Sequence, residues 1–137
     1  MYMNPEKLFT TSILSKKSPD RTTISVMSRH TENDGVTPKK EIQEGISFDE
    51  WMRHFAPPSK LVGGYYRGEI SWEEFEVAYR RFLESDALKI QLEEFAERCL
   101  KEPITLVCIE ADADRCHRRL LAEKLKELQP KLEIVHM

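Results

Sequence analysis

The sequence predicts a small α/β protein, a three-layer sandwich of about four strands with a β-α-β unit at its carboxyl end. Three observations predict it. The run ITLVCI at 104–109 is continuously apolar, which is typical of a strand covered on both faces. A helical pattern follows with Leu121, Leu125 and Leu128 on one face, and LEIVH at 132–136 is a last strand. A right-handed crossover through that helix would set the two strands parallel.

The first part of the chain predicts two strands and a long loop. LFTTSIL at 8–14 and TTISVMS at 22–28 are rich in β-branched residues and are separated by the turn-forming KKSPDR. HTENDGVTPKKEIQEG at 30–45 has turn residues and no sustained period, which predicts a surface loop. Loops of this length often carry function.

Two stretches, ISFDEW and ISWEEF, have the serine-to-glutamate spacing of a helix capping box. The first predicts a short helix from Ser47, because two prolines follow Phe55. The second predicts a helix from Ser71 to about Leu83, and a further helix should start at Ser85 or Asp86. The inner face of that further helix is expected to carry Leu88, Leu92, Phe95, Ala96 and Cys99.

Composition limits the classes of protein to which the chain can belong. The 137 residues fit one domain (1–137), with 40% hydrophobic and 33% charged residues. No signal peptide and no membrane span is predicted, so a cytoplasmic protein without a membrane partner is expected. A net charge of -3 argues against nucleic acid as a partner. Three cysteines without a framework spacing leave at least one thiol free and make reduced thiols the default.

The stretch CIEADADRCHRR at 108–119 is the main candidate site, with Asp112 or Asp114 as the predicted cap of the helix that follows it. Ligands of open α/β sheets bind beyond the carboxyl ends of strands, and the first turn of a helix attracts anions. Arg115 and Arg118 would bind a phosphate or carboxylate through planar guanidinium groups. Cys116 would be the nucleophile, and His117 the acid or base. The candidate site residues are Cys116, His117, Arg118, Arg115, Glu110 and Arg29.

Glu110 and Arg29 are the predicted orienting residues. Glu110 ends the alternation of the 104–109 strand and can orient His117 or pair with an arginine, although it can equally be a simple charge at a loop entry. Arg29 emerges at the same sheet edge as Cys116 if its strand runs parallel to the 104–109 strand. Cys108 adds a further metal-ligand type, but the spacing fits no compact zinc pattern, so no metal site is predicted and the cofactor is left open.

The segment APPSKLVGGYYRGE at 56–69 leaves two interpretations open. Tyr65, Tyr66 and Arg67 can present aromatic and cationic groups to a planar ligand. Alternatively, the segment is a connector whose tyrosines pack on the core. The glycines match no phosphate-binding loop.

VCIEADADRCHRRLLAEKL, together with APPSKLVGGYYRGEISWEEF, resembles the domain of unknown function 488 family, in particular its short archaeal-type and bacterial members. The resemblance runs roughly from the second strand to the end of the chain. It implies a small cytosolic α/β domain of Rossmann-like arrangement, in a family without an established activity. Where many relatives have an aspartate before the early arginine, this chain has Ser28. The family motif corresponds here to Arg29, Cys108, Glu110, Cys116, His117 and Arg118.

Two functions follow as hypotheses. In the first, the protein binds a phosphate- or carboxylate-bearing small molecule, or acts on it as a thiol-assisted enzyme, at the start of the Cys116 helix. In the second, the Cys-His-Arg triplet is structural and the helices at 71–83 and 86–101 meet a protein partner or a second copy in a homodimer. A concave basic pocket at Cys116 favours the first hypothesis, and a large apolar patch on those helices favours the second.

Overall fold

The computed structural model describes residues 7–32, 36–110 and 113–137. Within these ranges the strands and helices follow the order that the sequence predicts, except that a short strand takes the place of the helix predicted from Ser47 and one further helix lies at Ser59–Tyr66. The elements are β1 (Lys7–Ser12), β2 (Thr22–Ser25), β3 (Glu50–Trp51), α1 (Ser59–Tyr66), α2 (Trp72–Leu83), α3 (Asp86–Lys101), β4 (Ile104–Cys108), α4 (His117–Leu128) and β5 (Glu133–His136).

The strands form one parallel sheet in the order β3-β2-β4-β1-β5. All five residues of β4 are buried, as its apolar sequence predicts for a strand between two neighbours. The β4-α4-β5 unit has parallel strands, although β1 lies between them. The pairing of β2 with β4 aligns Ser25 with Val107, so both strands end at the same edge. This edge carries the candidate site.

The core divides between the two faces of the sheet. Ile104 and Leu106 of β4 belong to a large apolar cluster shared with the helices. Val107, which points to the opposite face, belongs to a smaller cluster with Ile42 and Phe48 from the segment between β2 and β3. The sheet is therefore covered by helices on one side and by this segment on the other, which is an α/β sandwich.

The second predicted capping box is confirmed and the first is wrong. The Ser71 hydroxyl accepts from the Glu74 N–H, and the Glu74 carboxylate accepts from the Ser71 N–H. The Ser47 hydroxyl instead accepts from the Gln43 N–H, and the residues after it form the short strand β3 beside β2. Pairing with an open sheet edge replaced the predicted helix.

Two helices differ in how well the sequence predicted them. The predicted inner face of α3 is confirmed, because Leu88, Leu92, Phe95, Ala96 and Cys99 are all buried. The helix α1 lies in the segment at 56–69, for which the sequence predicted no helix. Its two glycines have a low helix propensity, so the local sequence does not indicate a helix. Among the described residues, no helix is both long and apolar enough to cross a membrane.

Candidate functional site

A cavity of about 570 Å³ opens beyond the carboxyl ends of β2 and β4. Parallel pairing of these strands was the condition for Arg29 and Cys116 to emerge together, and both residues line this strand-end cavity. The residues around it come from four parts of the chain: the loop after β2, α1 with the start of α2, the end of β4, and the start of α4. They are Met27, Ser28, Arg29, Thr31, Glu32, Lys39, Val62, Gly63, Tyr65, Tyr66, Arg67, Trp72, Phe75, Cys108, Ile109, Glu110, Arg115, Cys116 and His117.

The helix α4 begins two residues later than a cap at Asp114 would place it, and four residues later than a cap at Asp112 would. Cys116 is its N-cap residue, and its side chain makes no capping hydrogen bond. Asp114 lies before it in a 3-10 turn and is therefore not the cap, while Asp112 falls outside the described residues. The Asp114 carbonyl accepts hydrogen bonds from the Arg119 guanidinium, which ties this turn to the helix.

Cys108 and Cys116 lie side by side at the cavity, with their sulfur atoms bonded to one another and their Cα atoms 7.6 Å apart. Cys108 is the last residue of β4, and Cys116 follows the strand-end loop, so the topology brings them together. Reduced thiols were the sequence-based default, and this pairing was missed. The remaining cysteine, Cys99, is free and buried in the core, as predicted.

His117 is partly buried, and its orientation is set by one backbone contact. Its Nε2 lies 2.7 Å from the carbonyl oxygen of Val26. Because a carbonyl only accepts, Nε2 carries the hydrogen and a neutral ring keeps its lone pair on Nδ1. Burial lowers the pKa of His117 to about 4; the Val26 hydrogen bond opposes this change and the Arg118 charge adds to it. The imidazole is therefore neutral near pH 7.

Arg118 is fully buried and does not line the cavity. Its Nη1 donates to the backbone carbonyl of Glu110 at 2.5 Å and lies 3.4 Å from the sulfur of Cys108. The guanidinium thus holds the end of β4 and the loop that leaves it. Nothing in this placement brings Arg118 itself to the cavity surface.

Glu110 reaches the cavity through its carboxylate. That carboxylate accepts a hydrogen bond from the Tyr66 hydroxyl at 2.5 Å, rather than pairing with His117 or an arginine. Loss of hydration, together with this bond, raises the pKa of Tyr66. The contact links α1 to the loop after β4, so it joins two sides of the cavity.

Aromatic side chains form one part of the cavity lining. Tyr65 contacts the rings of Trp72 and Phe75 at centroid distances of 5.6 and 5.4 Å, so it packs on the core as one of the two interpretations proposed. Tyr66 is 60% exposed and lines the cavity, so the interpretation in which it faces a ligand stays a prediction. The sequence did not indicate Trp72 or Phe75 as site residues, because both lie on the apolar, buried face of α2.

Cationic side chains form another part of the lining. Arg29 and Arg115 make no hydrogen bond or ion pair with any described residue, and Arg115 is exposed. Arg67 is paired with Glu69, and Lys39 lies 3.7 Å from Glu32. Lys39 was not predicted, although the loop that carries it was expected to be functional.

His30 and the outer surfaces of α2 and α3 contribute nothing to the aromatic and cationic lining described above. His30 follows Arg29 but is absent from the cavity lining; it bonds the Ser25 hydroxyl at 2.7 Å and stacks on Trp51. On the described part of α2 and α3, the large exposed apolar side chains are Val77 and Ile90. They do not amount to the large apolar patch that a protein-interaction module would present.

Comparison with protein-family models gives a match over most of the chain. The model DUF488-N3a, described as the active DUF488-N3 subclade, matches residues 8–129. The chain belongs to the DUF488 family. The matched range covers every residue that lines the cavity of this DUF488 protein. Neither the curated proteins nor the solved structures contain a significant match to it.

Proposed function

We propose that this DUF488 protein binds a small molecule that combines a phosphate or carboxylate with a planar ring, as nucleotides do, in the strand-end cavity. The observation that carries the proposal is the presence of Arg29 and Arg115, both without a described hydrogen-bond or ion-pair partner, in a cavity that also exposes aromatic rings. A guanidinium in a concave site pairs with an anion through two parallel hydrogen bonds. The aromatic side chains offer stacking surface to a ring.

The charges around the cavity favour an anionic ligand over a neutral one. Among the described residues that line it, four side chains are cationic and two are carboxylates. The Glu110 carboxylate accepts a hydrogen bond from the Tyr66 hydroxyl. Lys39 and Arg67 each lie beside a glutamate, Glu32 and Glu69 respectively. Arg29 and Arg115 are thus the side chains with which an anion would pair directly.

The triplet has separate roles in this proposal. Arg118 positions the loop that bears Glu110, instead of contacting the ligand. His117, neutral and oriented by Val26, is the candidate acid or base. Cys116 is the candidate nucleophile for the enzymatic version of the proposal. In the reduced protein, Cys116 should react with iodoacetamide faster than a model thiol at neutral pH; an equal or slower rate removes the nucleophile role.

The binding proposal is tested by calorimetry with nucleotides and phosphorylated or carboxylated aromatic compounds. Arg29→Ala and Arg115→Ala should each weaken the binding of the best ligand about tenfold or more, because each removes a charged hydrogen-bond donor. Arg81→Ala is the matched control, since Arg81 is exposed on α2 and does not line the cavity. If both cavity variants bind with wild-type affinity, or if no anionic compound binds, the proposal fails.

A further inference from the structure

Three side chains with metal-binding atoms meet at the cavity: Cys108, Cys116 and His117. The two sulfur atoms and one ring nitrogen of the imidazole all lie within 4.8 Å of one another. Their backbones are fixed by regular structure, because Cys108 ends β4 and the other two begin α4. Such a cluster needs little rearrangement to close around one ion.

The separation of the two cysteine backbones suits an ion between the sulfurs. The Cα atoms are 7.6 Å apart, whereas disulfides usually span about 4.4–6.8 Å. Two thiolates that share one tetrahedral zinc ion, with Zn–S bonds of about 2.3 Å, have sulfur atoms roughly 3.8 Å apart. Reduction of the pair would therefore leave two sulfurs at a backbone spacing that one ion can bridge without drawing β4 and α4 together.

We propose that the reduced protein binds a thiophilic divalent cation such as Zn²⁺ through Cys108, Cys116 and His117, with the remaining coordination position facing the strand-end cavity. Thiolate and imidazole ligands are the set that zinc prefers. All three residues line the cavity. Three protein ligands and one open position are the pattern of catalytic rather than structural zinc sites.

The surroundings of the cluster match those of known metal ligands. A ligating histidine usually donates its other ring N–H to a carbonyl or carboxylate, which fixes the ring. The Val26 carbonyl has that position for His117, at 2.7 Å from Nε2, so Nδ1 is the nitrogen left to bind the ion. The Arg118 guanidinium, 3.4 Å from the Cys108 sulfur, stabilises negative charge on that ligand.

The proposal is tested with Co²⁺ and Zn²⁺ as probes on the reduced 137-residue chain without oxygen. Wild type should bind one equivalent of Co²⁺ with tetrahedral visible bands and an intense thiolate-to-cobalt charge-transfer band. Added Zn²⁺ should displace the cobalt and abolish both. Cys108→Ser and Cys116→Ser should lose the charge-transfer intensity or reduce it strongly, and His117→Asn should weaken cobalt binding at least tenfold. Cys99→Ala is the matched control and should behave as wild type, because Cys99 lies in the core.

Two results would overturn the proposal: no cobalt binding by the reduced wild type, or wild-type binding by Cys116→Ser. X-ray absorption at the zinc edge of the wild-type protein covers the case in which a serine variant does not fold. Two sulfur ligands and one nitrogen ligand support the site, and any sulfur-free coordination rejects it. The inference goes beyond the proposed ligand binding, and no organic ligand is present in these measurements. Its failure is therefore distinguishable from failure of the calorimetric test, which is run on metal-free protein.

Discussion

Arg118→Met tests whether the buried guanidinium holds the end of β4. Arg118 has no exposed surface, and its Nη1 donates to the Glu110 carbonyl at 2.5 Å. Methionine retains much of the aliphatic stem but removes the charge and the donors. The substitution should therefore destabilise the protein mainly through the lost hydrogen bond, with a smaller part from lost packing.

The expected magnitude follows from two opposing effects. A hydrogen bond from a charged donor contributes about 1.5–3 kcal/mol, and the 3.4 Å contact with the Cys108 sulfur adds to it. Removing the buried charge also removes the desolvation cost of the guanidinium, which offsets part of the lost stabilisation. The free energy of unfolding should fall by about 2 kcal/mol, which corresponds to a decrease in Tm of roughly 5–10 °C for a domain of this size.

The assay is urea unfolding followed by circular dichroism, with Arg81→Met as the control for replacing an exposed arginine. The reasoning is refuted if the unfolding free energies of the two variants agree within about 0.5 kcal/mol. Ligand affinity is the second measurement. Arg118→Ala should weaken binding of a phosphate-bearing ligand by displacing Glu110, and an unchanged affinity would show that Arg118 does not position Glu110 for the ligand.

Two further predictions concern stability. Ser71→Ala should lower the free energy of unfolding by about 1 kcal/mol, measured in urea, because it removes the hydroxyl that accepts from the Glu74 N–H. Acidification of the metal-free protein from pH 6.5 toward 4 should destabilise it, measured as Tm against pH. The pKa values of His30 and His117 are lowered from 6.5 to about 4, so the unfolded chain takes up protons in this range that the native protein does not.

Each of these predictions has its own control. Ser85 caps α3 without a side-chain hydrogen bond, so Ser85→Ala should change stability much less than Ser71→Ala; equal losses would contradict the capping argument. For the acid effect, the double variant His30→Gln/His117→Gln should have a flatter Tm profile between pH 6.5 and 4. If the Tm of the double variant falls with pH as steeply as that of the wild type, titratable groups other than these two histidines cause the destabilisation.

Much of the fold was predictable because local patterns and tertiary packing agree. The apolar run of β4 is buried along its whole length, and the apolar face of α3 packs into the core. The capping box marks the observed start of α2. The site at the start of α4 was predictable for a related reason. A strand followed directly by a helix places the residues between them at the carboxyl edge of a parallel sheet.

The sequence by itself determined the α/β class, the helix faces and the location of the triplet, since these depend on periodicity and on residues close in the chain. Tertiary structure alone decided three features. Ser47 begins a segment that pairs with β2, because an open sheet edge offers backbone partners that a short helix does not. Cys108 meets Cys116, and Arg118 is buried with its guanidinium on the Glu110 carbonyl instead of lining the cavity. These contacts depend on how the end of β4 and the start of α4 are placed relative to one another, and residue spacing does not encode that placement.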